Sequence, residues 1–130
     1  MKKKPISVIG AGSWGTALSI LLANNGYKVN LWVYEKTLCD KIKETRENNL
    51  FLPGFNLTED IYPTNSLNEA IGTNEIVLLV IPTKFVRSIS NQKMEPATKS
   101  LFRCMESYIG IWKNNWHKSQ RSQGEIAVER

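Results

Sequence analysis

Apolar and polar positions along the chain fall into two alternating textures. Ile6-Ser7-Val8-Ile9 is a short apolar run that ends at Gly10, the signature of a buried strand. From Trp14 to Asn25 the apolar residues recur at helical spacing, with Ala17, Leu18, Leu21 and Leu22 on one face, and Gly26 stands where a helix commonly ends in the left-handed conformation. Val29, Leu31 and Val33 alternate with Asn30, Trp32 and Tyr34, which predicts a second strand. Lys36–Asn48 is charged with a narrow apolar stripe, Leu38 and Ile42, and predicts a surface helix. Asn49–Asp60 carries Pro53-Gly54 and predicts a loop. Ile61–Thr64 predicts a short edge strand, because Pro63 has no N–H for a central ladder. Ser66 is expected to cap a helix over Leu67–Ile71, with Glu69 completing a capping box. Glu75–Ile81 is apolar on both faces, as a strand inside a parallel sheet must be, and Lys84–Ser90 starts a further helix. This order of elements predicts an α/β fold: a parallel sheet of about four strands with helices on both faces.

Chemistry enters at the end of the first strand. Gly10-Ala11-Gly12-Ser13-Trp14-Gly15 is a G-x-G-x-x-G. The pattern alone is weak, but here it begins where a strand ends and closes where a helix begins, the context of a Rossmann-type dinucleotide site. In that setting Gly10 allows the tight turn, Gly12 lets a pyrophosphate approach the backbone, and Gly15 lets the helix pack on the strand. The free N–H groups of the helix start would face the phosphates. A structural turn without a ligand is the plainer alternative. Glu35 stands twenty residues after Gly15, at the end of the second strand. An acidic side chain there accepts hydrogen bonds from the adenosine ribose and favours NAD over NADP. Its plainer reading is an acid suited to the start of a solvated helix. No Arg stands beside it to hold a 2′-phosphate, although Lys36 could partly substitute.

Residues 6–90, above all Gly10 to Leu18, resemble the N-terminal domain of bacterial NAD(P)-dependent glycerol-3-phosphate dehydrogenase. Leu31-Trp32, Arg46-Glu47-Asn48, Phe51-Leu52-Pro53-Gly54 and Ile81-Pro82-Thr83-Lys84 carry the same resemblance. It implies cofactor contacts for Ser13 and Trp14, an adenosine-ribose neighbourhood for Tyr34 and Glu35, an aromatic lining from Phe51, and a place for Pro82 in the same site. Many members of that family carry basic residues at the two ribose positions, suited to NADP. Tyr34-Glu35 agrees instead with NAD. The resemblance also implies a place in glycerophospholipid metabolism. Such enzymes add a further strand, a Ser-Lys-Gly-type segment and a helical domain with the substrate-binding lysine. None of these is recognisable here, so no catalytic residue is assigned. His117, the one histidine, lies between Trp116 and Lys118 and reads as a surface residue.

Composition bounds the rest. The 130 residues suit one domain, and 42% hydrophobic with 22% charged residues excludes a disordered or fibrous chain. Ile76–Pro82 is too short to span a bilayer, and the basic start leads into no signal-peptide core. Cys39 and Cys104 form no metal-ligand spacing, so a reduced, cytoplasmic chain without a metal is expected. Charge is uneven: residues 1–91 hold ten Lys/Arg and eight Asp/Glu, residues 92–130 seven and four. The expected division is a dinucleotide-binding domain at 1–90 and a divergent basic tail at 91–130. Leu101, Met105, Tyr108, Ile109, Trp112 and Trp116 follow helical spacing, which supports a helix at about 97–116. The abrupt change after Asn91 equally fits a reading-frame change in a shortened gene, with no fixed structure in the tail, and the compositional break favours that reading.

Three function classes follow. The chain is the NAD(H)-binding portion of a glycerol-3-phosphate dehydrogenase, catalytically incomplete alone; or a stand-alone nucleotide-binding module; or a non-functional remnant whose last strand has an open edge. The expected partner is the dinucleotide cofactor. A charge excess of +5 is ordinarily a solvated face, so neither nucleic acid nor a membrane is expected. Self-association would use the open sheet edge or the tail helix.

Overall fold

The computed structural model describes residues 3–91 together with 95, 96 and 99. The helix expected at about 97–116, with Cys104, Trp112 and Trp116, lies outside the described residues except for Lys99, and so does His117. The chain divides into two compact units, residues 1–82 and residues 83–130. In chain order the elements are β1 (Ile6–Ile9), α1 (Ser13–Asn24), β2 (Val29–Trp32), α2 (Lys36–Thr45), β3 (Glu47–Asn48), β4 (Leu52–Asn56), β5 (Ile61–Thr64), α3 (Leu67–Ile71) and β6 (Ile76–Leu79). The second unit opens with α4 (Thr83–Ser90), where a helix was expected.

Four strands form a parallel sheet in the order β5-β2-β1-β6. Ile6 stands opposite both Val29 and Ile76, and Ile9 opposite both Trp32 and Leu79, so β1 is central. The chain runs outward from β1 through β2 to β5, then returns to the other side of β1. Between β1 and β6 the direction of winding reverses, and in open α/β sheets that point opens a crevice beyond the carboxyl ends of the strands. Val8, Val29, Leu31, Val33, Ile42, Leu57 and Ile61 are buried together in the core, each worth about 1.5–3 kcal/mol relative to exposure. Ser7 is the polar member of β1 and is also fully buried. Its Oγ donates to the Ala70 carbonyl at 2.5 Å and accepts from Asn74 Nδ2 at 2.9 Å, so no polar group is left unpaired there.

Five details depart from the sequence pattern. The apolar face expected on α1 is only partly its inner face: Leu22 packs against the core, and Ala17 and Leu18 are half-buried. Gly15, Thr16, Ser19 and Ala23 are buried, whereas Leu21 is 57% exposed. Small residues are selected because the helix backbone lies so close to the strand turn. The second helix stops at Thr45 rather than Asn48. Arg46 takes a left-handed conformation (φ 55°), and its N–H donates to the Ile42 carbonyl at 2.8 Å, closing the helix. The end of the expected helix, Glu47–Asn48, is β3, and it pairs antiparallel with β4 inside the expected loop, which accommodates Pro53 on a short two-stranded ribbon. The capping box is half formed. The Ser66 side chain accepts from the Glu69 N–H at 3.3 Å, but the Glu69 carboxylate accepts from Thr64 Oγ1 at 2.8 Å, and Thr64 Oγ1 takes the Ser66 N–H at 3.1 Å. Finally, β6 ends at Leu79 and lies at one end of the sheet order, opposite β5. Ile76 is exposed and the strand's other residues are half-buried, unlike a strand covered on both sides.

Candidate functional site: the glycine turn after the first strand

The turn from β1 into α1 is shaped by two glycines that the protein itself requires. Gly10 has φ +123°, a backbone conformation open to glycine, and a Cβ there would lie 2.4 Å from the Val80 carbonyl oxygen. A Cβ on Gly15 would lie 1.8 Å from the Gly10 carbonyl oxygen. Both contacts are with backbone, which cannot swing aside. Gly12 is different. It precedes α1 with φ −72° and ψ −171°, an extended conformation open to any residue, and a Cβ there would meet no protein atom within 4 Å. Nothing in the fold calls for glycine at this position.

Several of the predicted site residues stand at the carboxyl ends of β1 and its neighbouring strands or against the glycine turn itself. Ser13 Oγ donates to the Phe51 carbonyl at 2.8 Å, which draws Phe51 beside the glycine turn. Trp14 follows at the start of α1 and is 77% exposed; the Phe51 side chain is 42% exposed. Tyr34 and Glu35 leave the carboxyl end of β2, the strand next to β1. Tyr34 is 63% exposed, its ring set edge-on to buried Trp32 with centroids 5.8 Å apart. Glu35 is exposed and immediately precedes α2, yet its side chain does not cap that helix. Pro82 is exposed just beyond β6, on the side of β1 away from β2. Gly10, Tyr34-Glu35 and Pro82 therefore follow the carboxyl ends of three neighbouring strands. No hydrogen bond among the described residues links Tyr34, Glu35 or Pro82 directly to the glycine turn.

Two asparagines that the sequence pattern did not single out organise this region. Asn48 is fully buried, with its Nδ2 2.9 Å from both the Ala11 carbonyl and Thr16 Oγ1, and its Oδ1 accepting from the Phe51 N–H at 3.3 Å. Asn65 donates to the carbonyls of Val33 and Tyr34, at 2.8 and 2.7 Å, and its own carbonyl accepts from Trp32 Nε1 at 3.0 Å. It fixes the backbone that leads into Tyr34-Glu35. Arg46 adds a third brace, donating to the carbonyls of Leu57, Thr58 and Ile61. No periodicity marks a polar residue such as Asn48, whose partners Ala11 and Thr16 lie more than thirty positions away. The resemblance of the stretch Arg46-Glu47-Asn48 is the one signal that pointed to it.

No helix among the described residues is long and apolar enough to cross a membrane, and no cluster of three or more His, Cys, Asp or Glu among them could hold a metal. A parallel sheet with a glycine turn at its switch point and a helix starting over it defines the class: a dinucleotide-binding α/β domain. The comparisons narrow it. Residues 5–126 match the model of the family described as NAD-dependent glycerol-3-phosphate dehydrogenase N-terminus, and the chain belongs to that family. The match runs beyond Asn91, where the composition changes.

The chain is 42% identical over 86 residues to a glycerol-3-phosphate dehydrogenase [NAD(P)+] of Syntrophobacter fumaroxidans, covering 66% of this chain and 25% of that protein. It is 47% identical over 89 residues to the protein of the same name from Geobacter sp. strain M21, covering 68% and 27%. Among solved structures, glycerol-3-phosphate dehydrogenase from Coxiella burnetii matches with a TM-score of 0.64 at 36% identity, over 69% of this chain and 28% of that one. The Saccharomyces cerevisiae enzyme matches with a TM-score of 0.62 at 29% identity, over 70% and 30%. The chain thus spans about a quarter of the length of the curated relatives it matches.

Proposed function

We propose that this chain binds NAD(H) across its glycine turn and supplies the cofactor half of a glycerol-3-phosphate dehydrogenase. The observation that carries the reading is the contrast among the three glycines. Gly10 and Gly15 are held by the protein's own packing, whereas Gly12 keeps open a space that the protein does not fill. A pyrophosphate needs that close approach to the backbone and the N–H groups at the start of α1. Ser13, Trp14 and Phe51 would border the cofactor, Tyr34 and Glu35 would take the adenosine ribose, and Pro82 would lie on the far side of the turn.

Glu35 supports NAD(H) over NADP(H). Its carboxylate can accept hydrogen bonds from a ribose 2′-hydroxyl and repels a 2′-phosphate at the same place. Its side chain is not engaged in capping α2, which favours the ribose role over the helix-start one. When bound, the cofactor supplies the hydride exchanged with the substrate carbonyl. The substrate pair, sn-glycerol 3-phosphate and dihydroxyacetone phosphate, comes from the relatives' names. The chain's own residues bind and orient the dinucleotide, and we assign it no catalytic residue.

Replacing Gly12 by Val tests the reading. The variant should keep the far-ultraviolet circular dichroism of the parent, because its Cβ meets no atom of a non-adjacent residue within 4 Å, and should lose NADH binding. A folded Gly12→Val chain with the parent's affinity for NADH would refute it.

A further inference from the structure

We infer that Asn48 is a positioning residue for the cofactor: it holds the glycine turn in the orientation that presents its backbone to a pyrophosphate. This rests on the cofactor reading above and adds to it a residue that touches no ligand.

The geometry is specific. Asn48 closes the β3 strand and is buried completely, so both protons of its amide must be used inside the protein. One reaches the Ala11 carbonyl and the other Thr16 Oγ1, each at 2.9 Å. The Thr16 hydroxyl, having accepted from Asn48, is left to donate its own proton to the same Ala11 carbonyl, at 3.4 Å. Ala11 lies between Gly10 and Gly12, in the middle of the turn. A peptide unit is planar, and none here is cis, so its C=O and the following N–H point in opposite directions. Turning the Ala11 carbonyl inward to Asn48 therefore turns the Gly12 N–H away from Asn48. Packing fixes Gly10 and Gly15, but Gly12, next to Ala11, has no Cβ to restrict it and open space beside it. A buried amide holding the Ala11 carbonyl supplies the preference that Gly12 lacks.

The other end of the same side chain coordinates a second wall. Asn48 Oδ1 accepts from the Phe51 N–H, while Ser13 returns a bond to the Phe51 carbonyl. One asparagine thus sets the glycine turn and the Phe51 segment relative to each other before any ligand arrives. Such preorganisation lowers the ordering cost of binding.

The test is titration of the full chain and of Asn48→Asp with NADH and, separately, with adenosine, which lacks the pyrophosphate. Aspartate keeps the size and the acceptor for Phe51 but sets a carboxylate oxygen against the Ala11 carbonyl. NADH affinity should fall about tenfold, the equivalent of one strong hydrogen bond, while adenosine affinity stays at the parent value. Equal weakening for both ligands, or unchanged NADH affinity in a folded variant, overturns the inference. Where Asn48→Asp does not fold, the parent decides. The Asn48 side-chain amide protons should exchange slowly by NMR and shift when NADH is added, and exchange at solvent rate or indifference to NADH overturns the inference. A parent that binds no NADH refutes the cofactor reading and this inference together. A parent that binds, beside an Asn48→Asp chain that binds equally, refutes the inference alone.

Discussion

The Cβ position of Gly15 lies 1.8 Å from the carbonyl oxygen of Gly10. One residue therefore starts a helix directly against the turn that the other makes. In an exposed helix interior, exchanging glycine for alanine stabilises by up to about 1 kcal/mol. Here the sign reverses, because the added methyl group meets backbone. Gly15→Ala is expected to destabilise the chain by about 1–3 kcal/mol, the usual range for overpacking. Urea unfolding followed by circular dichroism checks it. A stabilised Gly15→Ala chain would contradict the close approach of α1 to β1.

The thiol of Cys39 gives a pH dependence. Burial pushes its pKa up; Lys43 partly opposes this, and the Asp40 and Glu69 carboxylates add to it. The folded state thus favours the protonated thiol more than the unfolded chain does. That stabilisation is whole below the ordinary thiol pKa and is lost as pH rises through the raised folded value. Between neutral and alkaline pH the parent should lose more stability than Cys39→Ala, by denaturant titration at each pH. A parallel loss in the two chains would contradict the assignment.

Turnover should be absent from the 130-residue chain assayed alone with dihydroxyacetone phosphate and saturating NADH. Holding the carbonyl in place contributes on the order of 7–11 kcal/mol to such a reaction, and the residues proposed above have roles in binding the cofactor alone. Following NADH absorbance, with folding confirmed in parallel, tests this. Oxidation above the buffer rate that disappears in Lys84→Ala would make the chain an enzyme by itself.

Much of this architecture is legible in the sequence because it is local. The β1 strand, the turn at Gly26 with φ +86°, and α3 behind Ser66 each follow from neighbouring residues. The parallel sheet follows from their order, and β5 lies at an edge as Pro63 implies. What periodicity misses is contact geometry. Leu18 and Leu21 mark an apolar face on α1, but the Gly10–Gly15 contact rolls a face of small residues inward. Pro53-Gly54 reads as a loop, although both residues lie in β4, which pairs with β3. Glu69 stands at capping-box spacing but turns to the Thr64 hydroxyl.

The site divides the same way. The glycine turn, Tyr34 and Glu35 are visible as a motif and a spacing. The buried amide of Asn48 and the brace from Asn65 depend on partners distant in sequence, which only the folded chain brings within hydrogen-bonding distance.

The central claim is tested most directly by titrating the chain with NADH and NADPH at equal ionic strength, following cofactor fluorescence. Binding of both through the glycine turn, with NADH the tighter, is the expected result, and Glu35→Gln should narrow the difference by removing the charge that repels a 2′-phosphate. Tighter binding of NADPH than NADH would contradict the role given to Glu35, and binding of neither by a folded chain would contradict the cofactor site itself.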